Sequence, residues 1–182
     1  MPLEFTTSYL NDSLDLFLHY KKLAERAMAQ VPDEQLFLEL DEGGNSIAII
    51  VKHMAGNMRS RWVNFLTSDG EKPDRNRDSE FVDPPATRDG LMRLWEGGWA
   101  HVFAALAPLL DSDLGRKVTI RGEAHSVTQA INRQMAHYSM HVGQIVLLAK
   151  HFAGDHWESL SIPRNKSADF NRQVAAGESS QR

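Results

Sequence analysis

Apolar residues recur at three- and four-residue steps in four long stretches of this chain, and each stretch predicts an amphipathic helix. The first runs roughly from Thr7 to Gln30, with Leu10, Leu14, Phe17, Leu18, Leu23, Ala27 and Met28 on its apolar side and Pro32 as its stop. A polar turn through Asp41–Asn45 follows, and Asn45 or Ser46 can cap the second helix, which the pattern carries from about Ser46 to Thr67. Its apolar positions are Ile47, Ile50, Val51, Met54, Met58, Arg61 or Trp62, and Phe65. Thr87 caps the third, whose buried set is predicted to be Leu91, Leu94, Trp95, Trp99, Val102, Phe103, Leu106 and Leu110. Ser126 caps the fourth, which continues to about Phe152.

The stretches between them differ in kind. Residues 68–86 are polar and hold Gly70, Pro73, Pro84 and Pro85. A loop of that length is uncommon unless it spans a fold or serves a function, and here it suits a crossover along a bundle. Val118–Glu123 alternates around a turn glycine and predicts a short extended excursion. After Gly154 periodicity is lost. The expectation is therefore an all-α four-helix bundle with a long crossover loop and an irregular C-terminal tail, a single domain over 1–173 and a disordered tail over 174–182.

Composition narrows the function classes. Of 182 residues, 42% are hydrophobic and 24% charged, as in a globular protein with its own core. The formal charge is −4 and no Lys/Arg run lies on a predicted helix, which disfavours a nucleic-acid partner. No apolar run is long enough to span a bilayer, and Met1–Thr7 is not a signal peptide, so no membrane partner is expected and the cytoplasm is the expected location. Cysteine is absent, which removes disulfides, thiolate ligands and cysteine nucleophiles together.

Histidine carries the chemistry. His137 and His141 stand four apart on the fourth helix, close enough on one face to chelate one cation. They fall in the progression Ala130, Gln134, His137, His141, Ile145, Leu148, Phe152, a stripe expected to face the interior. His53 stands at the edge of the apolar face of the second helix. Each could be an ordinary hydrogen-bonded core histidine. Two imidazoles buried on one stripe nevertheless cost a few kcal/mol (about 1–3 each) unless partnered, and one ion serves both. Three histidines with an open fourth position match catalytic rather than structural zinc sites. The residue after His137 is Tyr138 where metalloproteases need glutamate, and no Glu-x-x-His pairs stand in register for a di-iron centre. Gln144, three residues past His141, could orient its ring, or could simply be a surface residue. His19 and His101 are read as surface or hydrogen-bonding residues, His125, His151 and His156 at helix ends or in the tail carry no signal, and Trp62, Trp95 and Trp99 are read as core or interface.

A histidine in the second helix, then His137-x-x-x-His141 followed by Val142-Gly143-Gln144-Ile145, resembles the DinB-like (YfiT/DinB) superfamily. The run Trp62–Pro73 and the segment Ser161-Ile162-Pro163-Arg164 are similar to one bacterial branch of it, with the likeness extending from about Phe5 to Phe170. The resemblance implies an up-down-down-up bundle, frequently a homodimer, in which His53, His137 and His141 bind nickel or zinc, with water completing the shell. Iron also suits imidazole ligands. Some superfamily members are thiol-dependent transferases or isomerases. Two functions are thus carried forward: a metal-dependent thiol transferase or hydrolase acting on an unidentified small molecule, with no catalytic residue assigned, and a non-catalytic metal- or ligand-binding stress-response bundle.

Overall fold

The computed structural model describes residues 7–180. The N-terminal segment read above as no signal peptide, and the last two residues of the expected disordered tail, lie outside the described residues. Four long helices are present: α1 (Tyr9–Met28), α2 (Ile47–Trp62), α3 (Arg88–Leu106) and α4 (Val127–Ala153). Their starts are set by side-chain caps. Ser8, Ser46 and Thr87 each accept the backbone N–H three residues on. Ser126 and Gln129 form a reciprocal capping box on α4, at 3.1 and 2.9 Å.

Cross-helix contacts fix the topology. Tyr9 bonds Asn132 near the start of α4, and Gln30 reaches Glu158 just beyond its end, so α1 and α4 run parallel. On α2, His53 meets His141 while the later Trp62 bonds Tyr138, so α2 runs against α4. Leu10 binds Asp111 just past α3 whereas Met28 and Val31 accept from Arg88 at its start, so α3 runs against α1. The result is up-down-down-up, with residues 63–87 as the crossover between the parallel helices α2 and α3. Those two pack closely: a side-chain carbon on Gly98 would lie 2.9 Å from the Ala55 Cα, so only glycine admits this approach.

The core is aromatic at its centre. Phe17, Trp62, Trp95, Trp99 and Tyr138 are all buried, with the Phe17 ring 6.3, 6.2 and 5.9 Å from those of Trp62, Trp99 and Tyr138 in tilted and edge-on arrangements. A hairpin, β1 (Lys117–Ile120) with β2 (Glu123–Ser126), leads straight into α4 and realises the expected extended excursion. Val118 and Ile120 are its buried residues.

Four expectations change. Helix α2 stops at Trp62 rather than near Thr67, because Val63 turns extended and Asn64 takes a positive φ of 51°. Phe65 nonetheless stays in the core. Leu110, expected inside, is 68% exposed, because α3 ends at Leu106 and Leu109 fills the core instead. Leu18 lies on the exposed side of α1. The tail is not irregular throughout: α5 (Ser167–Ala175) crosses the boundary placed at 173/174, with Asp169 pairing to Lys166 and Arg172 across one turn. Among the described residues no helix is long and apolar enough to cross a membrane.

Candidate metal centre

Helix α2 is buried almost all round, which puts His53 inside the protein although it lies off the main apolar seam. On α4 the seam passes through Gln134, Tyr138, Val142 and Ile145, so His137 and His141 stand on its flank, half-buried, rather than at the centre of the interior as the stripe suggested. The three imidazoles meet there. His53 Nε2 lies 3.4 Å from His137 Nε2, and His141 Nε2 lies 3.1 Å from the same atom. One nitrogen from each ring falls within 4.8 Å of the other two. Nitrogens bound tetrahedrally at about 2.0–2.1 Å from one ion would sit about 3.3 Å apart.

Hydrogen bonds on the far side of two rings decide which nitrogen faces inward. His53 Nδ1 donates to Glu80 Oε2 and His141 Nδ1 donates to Gln144 Oε1, both at 2.8 Å. Each bond places the ring proton on Nδ1 and leaves the Nε2 lone pair directed at the cluster. Three ring nitrogens thus crowd together, the Nε2 atoms of His53 and His141 both turned toward that of His137. The buried Nδ1 of His137 has no hydrogen-bond partner among the described residues. Proteins rarely leave such atoms bare, and a cation resolves the crowding. Burial first, then His141 and His53, push the His137 pKa down to about 3. Burial likewise lowers His141, so both rings stay neutral and able to ligate at ordinary pH.

Glu80 is the residue the sequence reading missed. It lies in a 3₁₀ turn, Asp78–Phe81, within the crossover, and reaches α2 over Gly56. A side-chain carbon on that glycine would sit 2.5 Å from the Glu80 carboxylate, so Gly56 is what allows the contact. Arg75 grips the same carboxylate from the other side, Nε to Oε1 at 2.8 Å and Nη2 to Oε2 at 3.0 Å. Burial alone would raise the Glu80 carboxyl; the bonds from His53 and Arg75 outweigh it and hold the group below the usual carboxylate range. Lys52 pins the turn by donating to the carbonyls of Ser79, Val82 and Asp83. Phe81 stacks on the His53 ring at 4.8 Å. The local spacing gave no signal for Glu80; its only trace was the unusual length of the loop that holds it.

A cleft of about 540 Å³ opens beside His53 and His137. Gln134 is in its wall, and His19 and His101 are not among its lining residues. Trp62, Trp95 and Trp99 belong to the core as expected.

The family described as "Protein of unknown function (DUF1572)" matches residues 4–166 of the chain. No curated protein matches it in sequence. Among solved structures it is similar to YfiT from Bacillus subtilis, at TM-score 0.61 and 19% identity over 87% of this chain and 94% of that one. YfiT is described as "a probable metal-dependent hydrolase with an unusual four-helix bundle topology". At that identity the likeness speaks for the fold.

Proposed function

The chain belongs to the DUF1572 family, a DinB-like family, and from that premise we propose that His53, His137 and His141 hold one divalent cation for chemistry on a small molecule. Zinc or nickel is the first choice of ion and iron the next. The observation that carries the reading is the convergence of three Nε2 atoms while Glu80 and Gln144 occupy the opposite nitrogens of two rings. When bound, the ion supplies Lewis acidity, lowering the proton affinity of a coordinated thiol or water. Hydrolysis or thiol transfer is the reaction class, and the description of YfiT supports the former.

The protein's own part is orientation. Arg75 keeps Glu80 ionised, Glu80 fixes the tautomer of His53, and Gln144 does the same for His141. The stacked Phe81 screens one face of His53 from water. The test is elemental analysis of tag-free protein that has never met a nickel column. Near-stoichiometric metal, lost on His137→Ala, is expected; metal content indifferent to that change sinks the site.

One observation favours a non-catalytic reading. The carboxylates tied to the cleft's arginines are already engaged, Glu80 by His53 and Arg75, Glu71 by Arg61, Arg75 and Arg121, and among the described residues no acid lines the cleft. Among the described residues that line the cleft, none is a carboxylate free to take a proton. Turnover panels of esters, amides and thiol acceptors, run with and without metal, separate the two: stoichiometric metal without turnover favours the binding role. The proposal also includes a homodimer, supported by Met140 and Leu147, two turns apart on the outer side of α4 and 55% and 65% exposed. Light scattering at the mass of a single chain would remove that part.

A further inference from the structure

The cleft beside the histidines is lined by five arginines, Arg61, Arg75, Arg77, Arg121 and Arg133. That is a large share of the basic residues of a chain whose formal charge is −4. Among the described residues only two carboxylates, Glu71 and Glu80, pair with these five, so positive charge is in excess there. Their distribution matters more than their number. Arg75 and Arg61 are buried and tied to carboxylates, and they form a fixed cationic floor. Arg77 lies over the Phe81 ring at 4.9 Å and has no ion pair among the described residues. Arg133 is exposed and also without one, and Arg121 shares Glu71 while more than half its side chain stays in solvent. Polar capacity is unspent here too: Arg61 Nε, Gln134 Oε1 and His137 Nδ1 are buried without a hydrogen-bond partner.

Like charges held around one concavity repel, so they persist where a partner of opposite sign visits. Guanidinium forks match carboxylate and phosphate oxygens, and a cleft of this volume holds a small molecule rather than a macromolecule. We propose that this cleft binds a small molecule carrying a carboxylate or phosphate group, docked on Arg77, Arg121 and Arg133 so that the rest of it reaches His53 and His137 in the same wall. The inference rests on the metal reading of those histidines and names the substrate class for it.

The test is calorimetry on the full chain, metal-free and zinc-loaded, with inorganic phosphate, succinate, and succinamide as the uncharged counterpart. At least one anion should bind about tenfold or more tighter than succinamide, and the one that does identifies the group as phosphate or carboxylate. The double variant Arg77→Gln/Arg133→Gln changes two exposed residues, so the fold survives; it should weaken that binding by about tenfold or more with zinc content unchanged. Succinamide binding as tightly as both anions, or the double variant binding as tightly as the parent, overturns the proposal. Anion binding by a chain that takes up no metal would sustain the cleft and remove the metal centre. Stoichiometric zinc with no preference for anions would do the reverse.

Discussion

His137 and Tyr138 are neighbours on α4, yet they face two regions built from the same helices. Tyr138 is wholly buried in the aromatic centre, where its hydroxyl accepts from Trp62 Nε1 at 3.0 Å and donates to Asn57 at 3.2 Å. Burial outweighs the Trp62 bond and raises its pKa, so it stays a neutral hydrogen-bonding group. One residue back, His137 has a bare Nδ1 and an Nε2 pressed against two other ring nitrogens. Around Tyr138 the core pairs its polar atoms, with Trp99 Nε1 the exception, and packs most of its rings edge-on or tilted; the cleft gathers like groups and leaves Arg61 Nε, Gln134 Oε1 and His137 Nδ1 open. A fold optimised only for stability would treat the two sides alike. The proposed ligand site rests on this contrast: three open polar atoms gathered in one cleft against a single one in the aromatic centre.

That contrast can be broken from either side. The largest effect should come from the core: Trp62→Ala removes a buried indole and the donor to Tyr138, and should cost about 3–5 kcal/mol in denaturant unfolding. A cost near zero would mean the centre is not packed as described. His137→Ala should do the opposite. Stoichiometric metal disappears by elemental analysis, while metal-free stability moves by no more than about 1 kcal/mol, because an imidazole with an unpaired nitrogen contributes little. Glu80→Gln should come next, weakening metal about 10–100-fold in a competition titration by loosening the hold on His53. Affinity unchanged in that variant would reduce Glu80 to a loop anchor.

The smallest effect concerns how the cleft is tied to the hairpin. The Asp69 carboxylate accepts backbone N–H bonds from Glu71, Arg121 and Gly122, at 2.7, 2.7 and 2.8 Å. Those bonds, the one from Glu71 foremost, hold its pKa below the ordinary carboxylate value. A depressed folded pKa stabilises above the unfolded value of about 3.9 and ceases to as pH falls through the folded one. The stability gap between the parent and Asp69→Asn should therefore be full near neutrality and close below about pH 4. A gap that persists in acid would show that the charge is not what binds the hairpin.

Much of this was legible before any coordinates. Ser46, Thr87 and Ser126 cap helices as their chemistry predicts, and the histidine pair on α4 needs only the helical repeat to share a face. Glu80 was hidden because its contact with His53 spans 27 residues, and no local period relates a 3₁₀ turn to the helix it lands on. The arginines were hidden likewise: Arg61 is on α2, Arg75 and Arg77 in the crossover, Arg121 in the hairpin turn and Arg133 on α4, and no run of basic residues betrays them. α5 was missed because a short helix gives a periodic signal too brief to read.

The sequence by itself determined the four long helices, the caps of three of them and the sharing of one face by His137 and His141, since each depends on residues within a turn or two of one another. Tertiary structure alone decided that the imidazoles sit on the flank of the core, that a carboxylate from the crossover orients one of them, and that five scattered guanidiniums share a cleft. Charges and lone pairs act through space, and only the packing of α2 against α4 and the draping of the crossover over Gly56 set those distances.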